Sequence, residues 1–176
     1  MNQNQKVYSL VSTLLQYPER EWKEWLEQVD VLEEFSDESI RLTLKPFLDY
    51  MKKTSYEELC KSYVYTFDFY DRTTLYLTYT VFKDNRDRGS ILVQLRRQMM
   101  DYGMEFTTEE LPDYLPLVLE FASIVPEKHS AKILQLHLRS IQNLELELQG
   151  VDSPYRYLIA TCLKCIESTK ENEKVS

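Results

Sequence analysis

The chain has 176 residues, of which 43% are hydrophobic, and it carries a formal net charge of −8 at pH 7. This length and composition predict one domain around one buried core, because two separate cores would each be small. The negative charge would repel a phosphate backbone, so we expect no nucleic acid partner, whereas a basic or amphipathic peptide would be attracted.

Three further absences in the sequence restrict the possible classes of protein. The three glycines are far apart, which excludes the glycine-rich loops that cradle nucleotide phosphates. The apolar run at residues 7–15 lacks the small-residue cleavage site of a signal peptide, and no stretch of about 20 apolar residues could cross a bilayer. We therefore expect a cytoplasmic protein that does not insert into the membrane and whose cysteines stay reduced.

Apolar residues recur at three- and four-residue spacing along almost the whole chain, which is the periodicity of helices packed on one face. The first predicted helix ends before Pro18, and a short second helix carries both tryptophans. A third helix contains Pro46, which can kink it. Ser55 and Glu58 have the spacing of a capping box, which predicts the start of a fourth helix.

The middle of the chain is less regular. Residues 68–72 combine carboxylates, a guanidinium and aromatic rings without a period, and we interpret them as a turn. Residues 73–81 have helical spacing but also the β-branched and aromatic content of a strand, so both interpretations stay open. A long helix then follows, and Gly103 is predicted to end it in the left-handed conformation.

Three helices are predicted in the C-terminal part. The first runs from about Asp113 to Pro126, the second ends at Gly150, and the third is capped by Ser153. The prediction is thus an all-α fold, a single compact helical domain of roughly eight to ten helices over residues 1–170. Residues 171–176 are expected to be a frayed charged tail.

The sequence gives little support for a metal site or for a redox function. Cys162 and Cys165 form a C-x-x-C pair, but a metal site needs two more ligands, and only Cys60, His129 and His137 remain. We favour buried structural thiols, with a redox role or a zinc site formed by distant residues as the alternatives. The two histidines are interpreted as surface residues. We predict no catalytic residues, no metal and no bound cofactor.

The tyrosines concentrated between Tyr63 and Tyr79 have two possible roles. Tyrosine provides flat, amphipathic surface of the kind that recognition sites favour. The same rings could equally pack in the core with their hydroxyl groups at the rim. The sequence leaves both interpretations open.

Two stretches carry more information than helical periodicity. Residues 63–89 read YVYTFDFYDRTTLYLTYTVFKDNRDRG and resemble the signature of the nitrate reductase delta-type, or NarJ-type, molybdenum cofactor assembly chaperones. Residues 110–123 read ELPDYLPLVLEFAS and resemble the ELPDYLP-x-x-LEF motif of the same family. The matching positions of the first motif are Thr66, Phe67, Asp68, Arg72, Leu75, Tyr76, Leu77, Thr78, Tyr79, Asp84, Arg86, Arg88 and Gly89.

The resemblance implies a helical chaperone that is not an enzyme. Its implied partner is the apo catalytic subunit of respiratory nitrate reductase, bound through the N-terminal peptide of that subunit. The chaperone would hold the subunit open for molybdenum cofactor insertion and restrain its early docking to the membrane. An apolar groove between helices, rimmed by acidic residues, can accept such a peptide as an amphipathic helix with basic residues.

Several of the candidate peptide-binding residues also have possible structural roles. Arg72 can pair with Asp68 or with Glu120, and Asp113 can cap its helix, which is the role we favour for it. Of Tyr76 and Tyr79, only one can easily face the core. The predicted peptide-binding residues are Asp68, Arg72, Tyr76, Tyr79, Asp113, Tyr114 and Glu120.

Two other functions remain as alternatives at this level. A permanent, non-catalytic structural subunit of a membrane oxidoreductase complex would also be acidic, helical and free of cofactor. A small enzyme or redox protein using Cys162 and Cys165 is the second alternative.

Overall fold

The computed structural model describes residues 1–82, 86–107 and 109–175, with the side chains of residues 170–175 excepted. Within these ranges the fold is all-α, as predicted, with no strand and with short 3₁₀-helices at Val31–Glu34 and Asp71–Thr73. The α-helices are α1 (Gln3–Leu14), α2 (Arg20–Gln28), α3 (Glu38–Lys53), α4 (Tyr56–Phe67), α5 (Tyr79–Phe82), α6 (Asp87–Asp101), α7 (Leu115–Ile124), α8 (Glu127–Gly150) and α9 (Arg156–Val175).

Helix α7 lies at the centre of the core. Its sequence LPLVLEFASI has Glu120 as its one charged residue, and a helix that is apolar on nearly all sides is stable only when neighbours surround it. Helices α1 and α8 pack on α7, while α9 packs on α1, α3 and α8. Within the described ranges, no helix combines the length and the apolarity needed to cross a bilayer.

Local signals set several helix ends as the sequence predicts. The Ser55 side chain accepts a hydrogen bond from the Glu58 amide at 3.3 Å, and the Glu58 carboxylate accepts one from the Ser55 amide at 3.3 Å. This capping box starts α4. Helix α3 continues through Pro46 to Lys53.

Helix α6 ends at a left-handed glycine, as predicted. Gly103 has φ of +84°, and its amide donates to the carbonyl of Met100 at 2.9 Å. The amide of Met104 reaches back to the carbonyl of Met99 at 3.1 Å, which completes a Schellman motif. A side chain at position 103 would strain this turn.

The last helix begins later than predicted. Residues 153–155 form a turn in which the Arg156 amide donates to the Ser153 carbonyl at 3.2 Å, and α9 starts at Arg156. The Ser153 hydroxyl lies 3.4 Å from the Thr66 hydroxyl of α4. The predicted tail at residues 171–176 stays a prediction, because its side chains and the backbone of Ser176 lie outside the described residues.

Candidate binding site

The two sequence motifs meet through a short antiparallel bridge of backbone. The Leu77 amide donates to the carbonyl of Asp113 at 3.0 Å, and the Leu115 amide donates to the carbonyl of Leu75 at 2.8 Å. The segment at residues 73–81 is therefore neither the strand nor the continuous helix that its composition allowed. Its apolar side chains at Leu75 and Leu77 are buried, which fixes this extended piece of chain against the start of α7.

Asp113 holds the two motifs together with its side chain. The carboxylate is fully buried, and Oδ2 accepts hydrogen bonds from the Thr78 amide at 3.0 Å, from the Thr78 hydroxyl, and from Arg88 Nη2 at 3.3 Å. The predicted role of Asp113 as a helix cap is wrong, because α7 begins at Leu115 and Tyr114 is the residue at its N-cap. Instead of capping α7, the Asp113 carboxylate accepts charge-assisted hydrogen bonds from residues that are distant in the sequence, Thr78 and Arg88.

A cavity of about 330 Å³ opens beside the first motif, and we call it the first cavity. Its lining includes three predicted site residues, Asp68, Tyr76 and Tyr79, together with Asp71 and Arg88. The Arg88 guanidinium lies 5.5 Å from the centre of the Tyr79 ring and is bonded to the buried carboxylate below. Asp68 and Asp71 are exposed and form no ion pair with a described residue, so they add two negative charges to the lining of this cavity.

A second cavity, of about 130 Å³, lies beside the second motif. Two predicted site residues, Tyr114 and Glu120, line it together with Glu110 and Phe106. We call it the second cavity. Three of its lining residues are acidic, because Glu105 also contributes.

The wall between the two cavities consists of Tyr76 and Tyr114. Their ring centres are 5.3 Å apart, and the Tyr76 hydroxyl donates to Glu110 Oε2 at 2.8 Å. The Tyr114 hydroxyl lies 3.4 Å from that of Tyr63, which donates to a backbone carbonyl of the core. Burial raises the pKa of Tyr76 and of Tyr114, so both phenols stay protonated at neutral pH.

The predicted site residues thus fall into three groups. Five of them line the two cavities, and Asp113 is buried and lines neither. Arg72 is exposed, lines neither cavity, and forms no ion pair with the described residues, so neither of the possible pairings, with Asp68 or with Glu120, is found. The prediction missed three residues of the candidate site, although the first motif contains Thr78 and Arg88 and the second contains Glu110. The motif position Asp84 lies outside the described residues.

The C-x-x-C pair is buried in the core, as favoured above. Cys162 and Cys165 are each 1% exposed and are free thiols. Burial raises the pKa of Cys162 and raises that of Cys165 to about 12, which disfavours the reactive thiolate. Within the described ranges no three potential metal ligands cluster.

This burial predicts that one thiol reacts in the native protein. We expect a thiol reagent to modify the half-buried Cys60 rapidly and to reach Cys162 and Cys165 only when denaturant unfolds the chain. Counting modified thiols against time with and without denaturant checks this. Cys60→Ser should remove the fast phase. Fast native modification of two or three thiols would contradict the buried placement.

The interpretation of both histidines as surface residues is wrong for His137. His137 is 5% exposed, whereas His129 is half-buried with its ring centre 4.3 Å from that of Tyr102. Burial lowers the pKa of His137, and the Asp113 carboxylate opposes this lowering. The neutral imidazole is therefore the form that the native state favours.

The pKa of His137 predicts a loss of stability in mild acid. In the unfolded chain this imidazole takes up its proton near pH 6.5, whereas the native protein takes it up only at lower pH. The stability that neutral His137 contributes is complete above about pH 6.5. It is lost as the pH falls below that value, because the unfolded state then binds more protons than the native state. We expect His137→Gln to lose less unfolding free energy than the wild type between about pH 7 and pH 5.5, measured by urea denaturation. Parallel pH profiles would contradict this.

The fold and the site together define an all-helical protein whose two sequence motifs meet at one polar, aromatic candidate site. Residues 33–160 match the sequence model of the family described as nitrate reductase delta subunit, so the chain belongs to this family.

The names of similar proteins agree with this family. The chain is 35% identical, over 97% of its length and 94% of the relative, to the probable nitrate reductase molybdenum cofactor assembly chaperone NarJ of Bacillus subtilis. It is 28% identical, over 95% of its length and 72% of the relative, to the assembly chaperone NarJ of Escherichia coli strain K12. The probable chaperone NarW of the same strain is 30% identical over 59% of this chain and 45% of the relative. The resemblance to the NarJ-type chaperones is confirmed.

Proposed function

We propose that this chain is a cytoplasmic assembly chaperone for a respiratory nitrate reductase. It binds the N-terminal segment of the apo catalytic subunit and assists insertion of the molybdenum cofactor before the complex docks to the membrane. The names of the relatives support the chaperone role and the choice of partner. The observation that supports the binding role is the bridge between the two motifs, which places Tyr76 of the first cavity against Tyr114 of the second.

The first cavity fits a cationic group of the bound peptide. Its lining includes the carboxylates of Asp68 and Asp71, which have no ion pair with a described residue, and the rings of Tyr76 and Tyr79. A cation beside aromatic rings and carboxylates gains both charge attraction and cation–π contact. The N-terminal ammonium group of a peptide, or a lysine or arginine close to it, has this chemistry.

The second cavity would receive the adjoining part of the same segment. It continues from the first across the Tyr76–Tyr114 wall and combines the carboxylates of Glu110 and Glu120 with the apolar Phe106 and Leu117. Peptide residues with an apolar side chain next to a basic one complement such a surface. The two cavities together therefore favour a segment that is basic at its end and amphipathic beyond it.

The effect of binding on assembly follows from mass action. A protein that binds only the apo form of a subunit stabilises that form by an amount that grows with its concentration. While the N-terminal segment is held in the two cavities, it is unavailable for other contacts of the catalytic subunit. The chaperone in this scheme needs no reaction chemistry of its own.

Titration calorimetry tests this proposal directly. We expect a peptide copying the N-terminal segment of the catalytic subunit to bind with a dissociation constant in about the micromolar range, and a scrambled peptide of the same composition not to bind. Absence of heat and of any spectroscopic change at about 100 µM peptide would contradict it. A stoichiometric band of this chain in the purified, active membrane complex would instead assign it as a permanent structural subunit.

A further inference from the structure

A separate apolar groove of about 420 Å³ lies between α1 and α2, and we call it the α1–α2 groove. Helix α1 contributes Leu10 and Leu14 to its walls, and α2 contributes Trp22, Trp25 and Leu26. The groove exists because α2 packs mainly on α3, whereas α1 packs on α7. None of the residues that line the two motif cavities lines this groove.

The groove exposes apolar surface that the described part of the chain does not cover. Trp25 is 48% exposed, Leu10 and Trp22 are half-buried, and the small side chains of Ser9 and Thr13 leave the rim open. A concave apolar surface with a polar rim is typical of a docking site for a partner. Two tryptophans in its wall could supply much of the binding energy, because tryptophan is enriched at the energetic centres of interfaces.

The charge around the groove determines which partner fits it. The sequence from Glu19 to Glu38 contains nine carboxylates and only two basic residues. Both basic residues are already neutralised, since Arg20 lies 3.5 Å from Glu57 and Lys23 pairs with Glu27. This surface would repel an anionic membrane and a second copy of this acidic chain.

Acidic side chains also border the groove itself. Glu34 lines it and pairs with Lys6 at 3.2 Å. Glu21 and Trp25 are four positions apart on α2 and so lie on the same face of that helix, and the exposed Glu21 has no ion pair with a described residue. An apolar trough with acidic edges is complementary to a helix that has an apolar face between rows of lysine or arginine.

We propose that the α1–α2 groove is a second docking surface, which accepts an amphipathic helix with a basic polar face from a partner polypeptide. The groove would bind the apolar face of that helix between Leu10 and Trp25, and the flanking carboxylates would contact its basic residues. This surface is independent of the two motif cavities, and the proposed peptide binding there does not depend on it.

The tryptophans make the proposal directly testable, because both tryptophans of the chain line the groove. The probe is a synthetic helix of about 18 residues with leucines at i, i+3, i+4 and i+7 and lysines elsewhere. We expect it to shift the tryptophan emission of the full chain to shorter wavelength, and the effect to weaken with added salt. The same peptide with glutamates in place of the lysines should cause no shift.

Variants identify the surface that binds the probe. Ser9→Lys places a positive charge on the exposed rim and should weaken binding of the lysine peptide by about threefold or more at low salt. Gln142→Lys, the same charge change at an exposed position of α8, should leave the affinity for the lysine peptide unchanged.

Trp25→Ala should weaken binding of the lysine peptide by about tenfold or more, measured by anisotropy of a labelled peptide. Tyr76→Ala, which alters only the motif cavities, should have no effect.

Three results would overturn the proposal. The first is no emission shift with the lysine peptide, and the second is an equal shift with the glutamate peptide. The third is a shift that depends on protein concentration without any peptide, which would assign the groove to a second copy of the chain. Failure of the nitrate reductase peptide to bind would leave these results unchanged, so the two proposals are tested separately.

Discussion

Asp113→Ala is expected to lower the free energy of unfolding by about 3 kcal/mol, because it removes the acceptor on which three buried or partly buried donors depend. The Thr78 amide, the Thr78 hydroxyl and the Arg88 guanidinium all donate to the same carboxylate oxygen. The Arg88 side chain is only 18% exposed, so water replaces the lost carboxylate incompletely. The variant would leave a guanidinium without its partner between the two motifs.

Urea denaturation measures this loss, and two other variants control it. Asp71→Ala makes the same chemical change at an exposed position of the first cavity and should alter the unfolding free energy by less than about 0.5 kcal/mol. Asp113→Asn keeps one acceptor oxygen, so its loss of unfolding free energy should lie between the losses of Asp71→Ala and Asp113→Ala. A value for Asp113→Ala within about 0.5 kcal/mol of the wild type would show that the carboxylate does not hold the motifs together.

The double variant Tyr76→Ala, Tyr79→Ala is expected to weaken binding of the N-terminal peptide by about tenfold or more. It removes the wall between the cavities and two aromatic faces of the first cavity. Both side chains are half-buried, and the changes remove the bond to Glu110 and the contact with Tyr114, so we expect a stability loss of at most about 2 kcal/mol. Calorimetry measures the affinity, and thermal denaturation measures the stability.

The matched control removes two tyrosines that line neither cavity. Tyr65 and Tyr102 are 57% and 48% exposed, and their double replacement by alanine should leave peptide affinity within about twofold of the wild type. Equal losses in the two double variants would remove the specific role of Tyr76 and Tyr79. A much larger drop in thermal stability than expected would reassign these side chains to the core.

The helices could be predicted from the sequence because their signals are local. The capping box at Ser55 and the left-handed Gly103 each depend on residues within five positions, and both are found as predicted. The segment at residues 73–81 could not be assigned in this way. Its conformation depends on hydrogen bonds to residues 113 and 115, which local propensity does not contain.

The same limit explains the errors at the site. Asp113 has the sequence context of a cap, but its partners Thr78 and Arg88 are 35 and 25 residues away along the chain. His137 was interpreted as a surface residue because it is eight positions from His129, too far for the two to share one ion, although a helix face turned to the core buries it. Arg72 was included because it matches the motif, and the structure leaves it outside both cavities.

The sequence also predicted one apolar, acid-rimmed groove formed by the motif residues. The structure separates these properties between two places. The motif residues line two small cavities with polar and acidic walls, whereas the apolar groove with acidic edges lies between α1 and α2. The sequence around the two tryptophans contains both the apolar and the acidic residues, but their common groove appears only when α1 is placed beside α2.

Amide hydrogen exchange with and without the N-terminal peptide of the catalytic subunit tests most directly whether the two motifs act as one binding site. We predict that the peptide slows exchange in both residues 68–79 and residues 110–120, because the bridge joins the segment that lines the first cavity to the segment that lines much of the second. Slower exchange in only one of these segments, or in neither while the peptide is bound, would contradict the shared site.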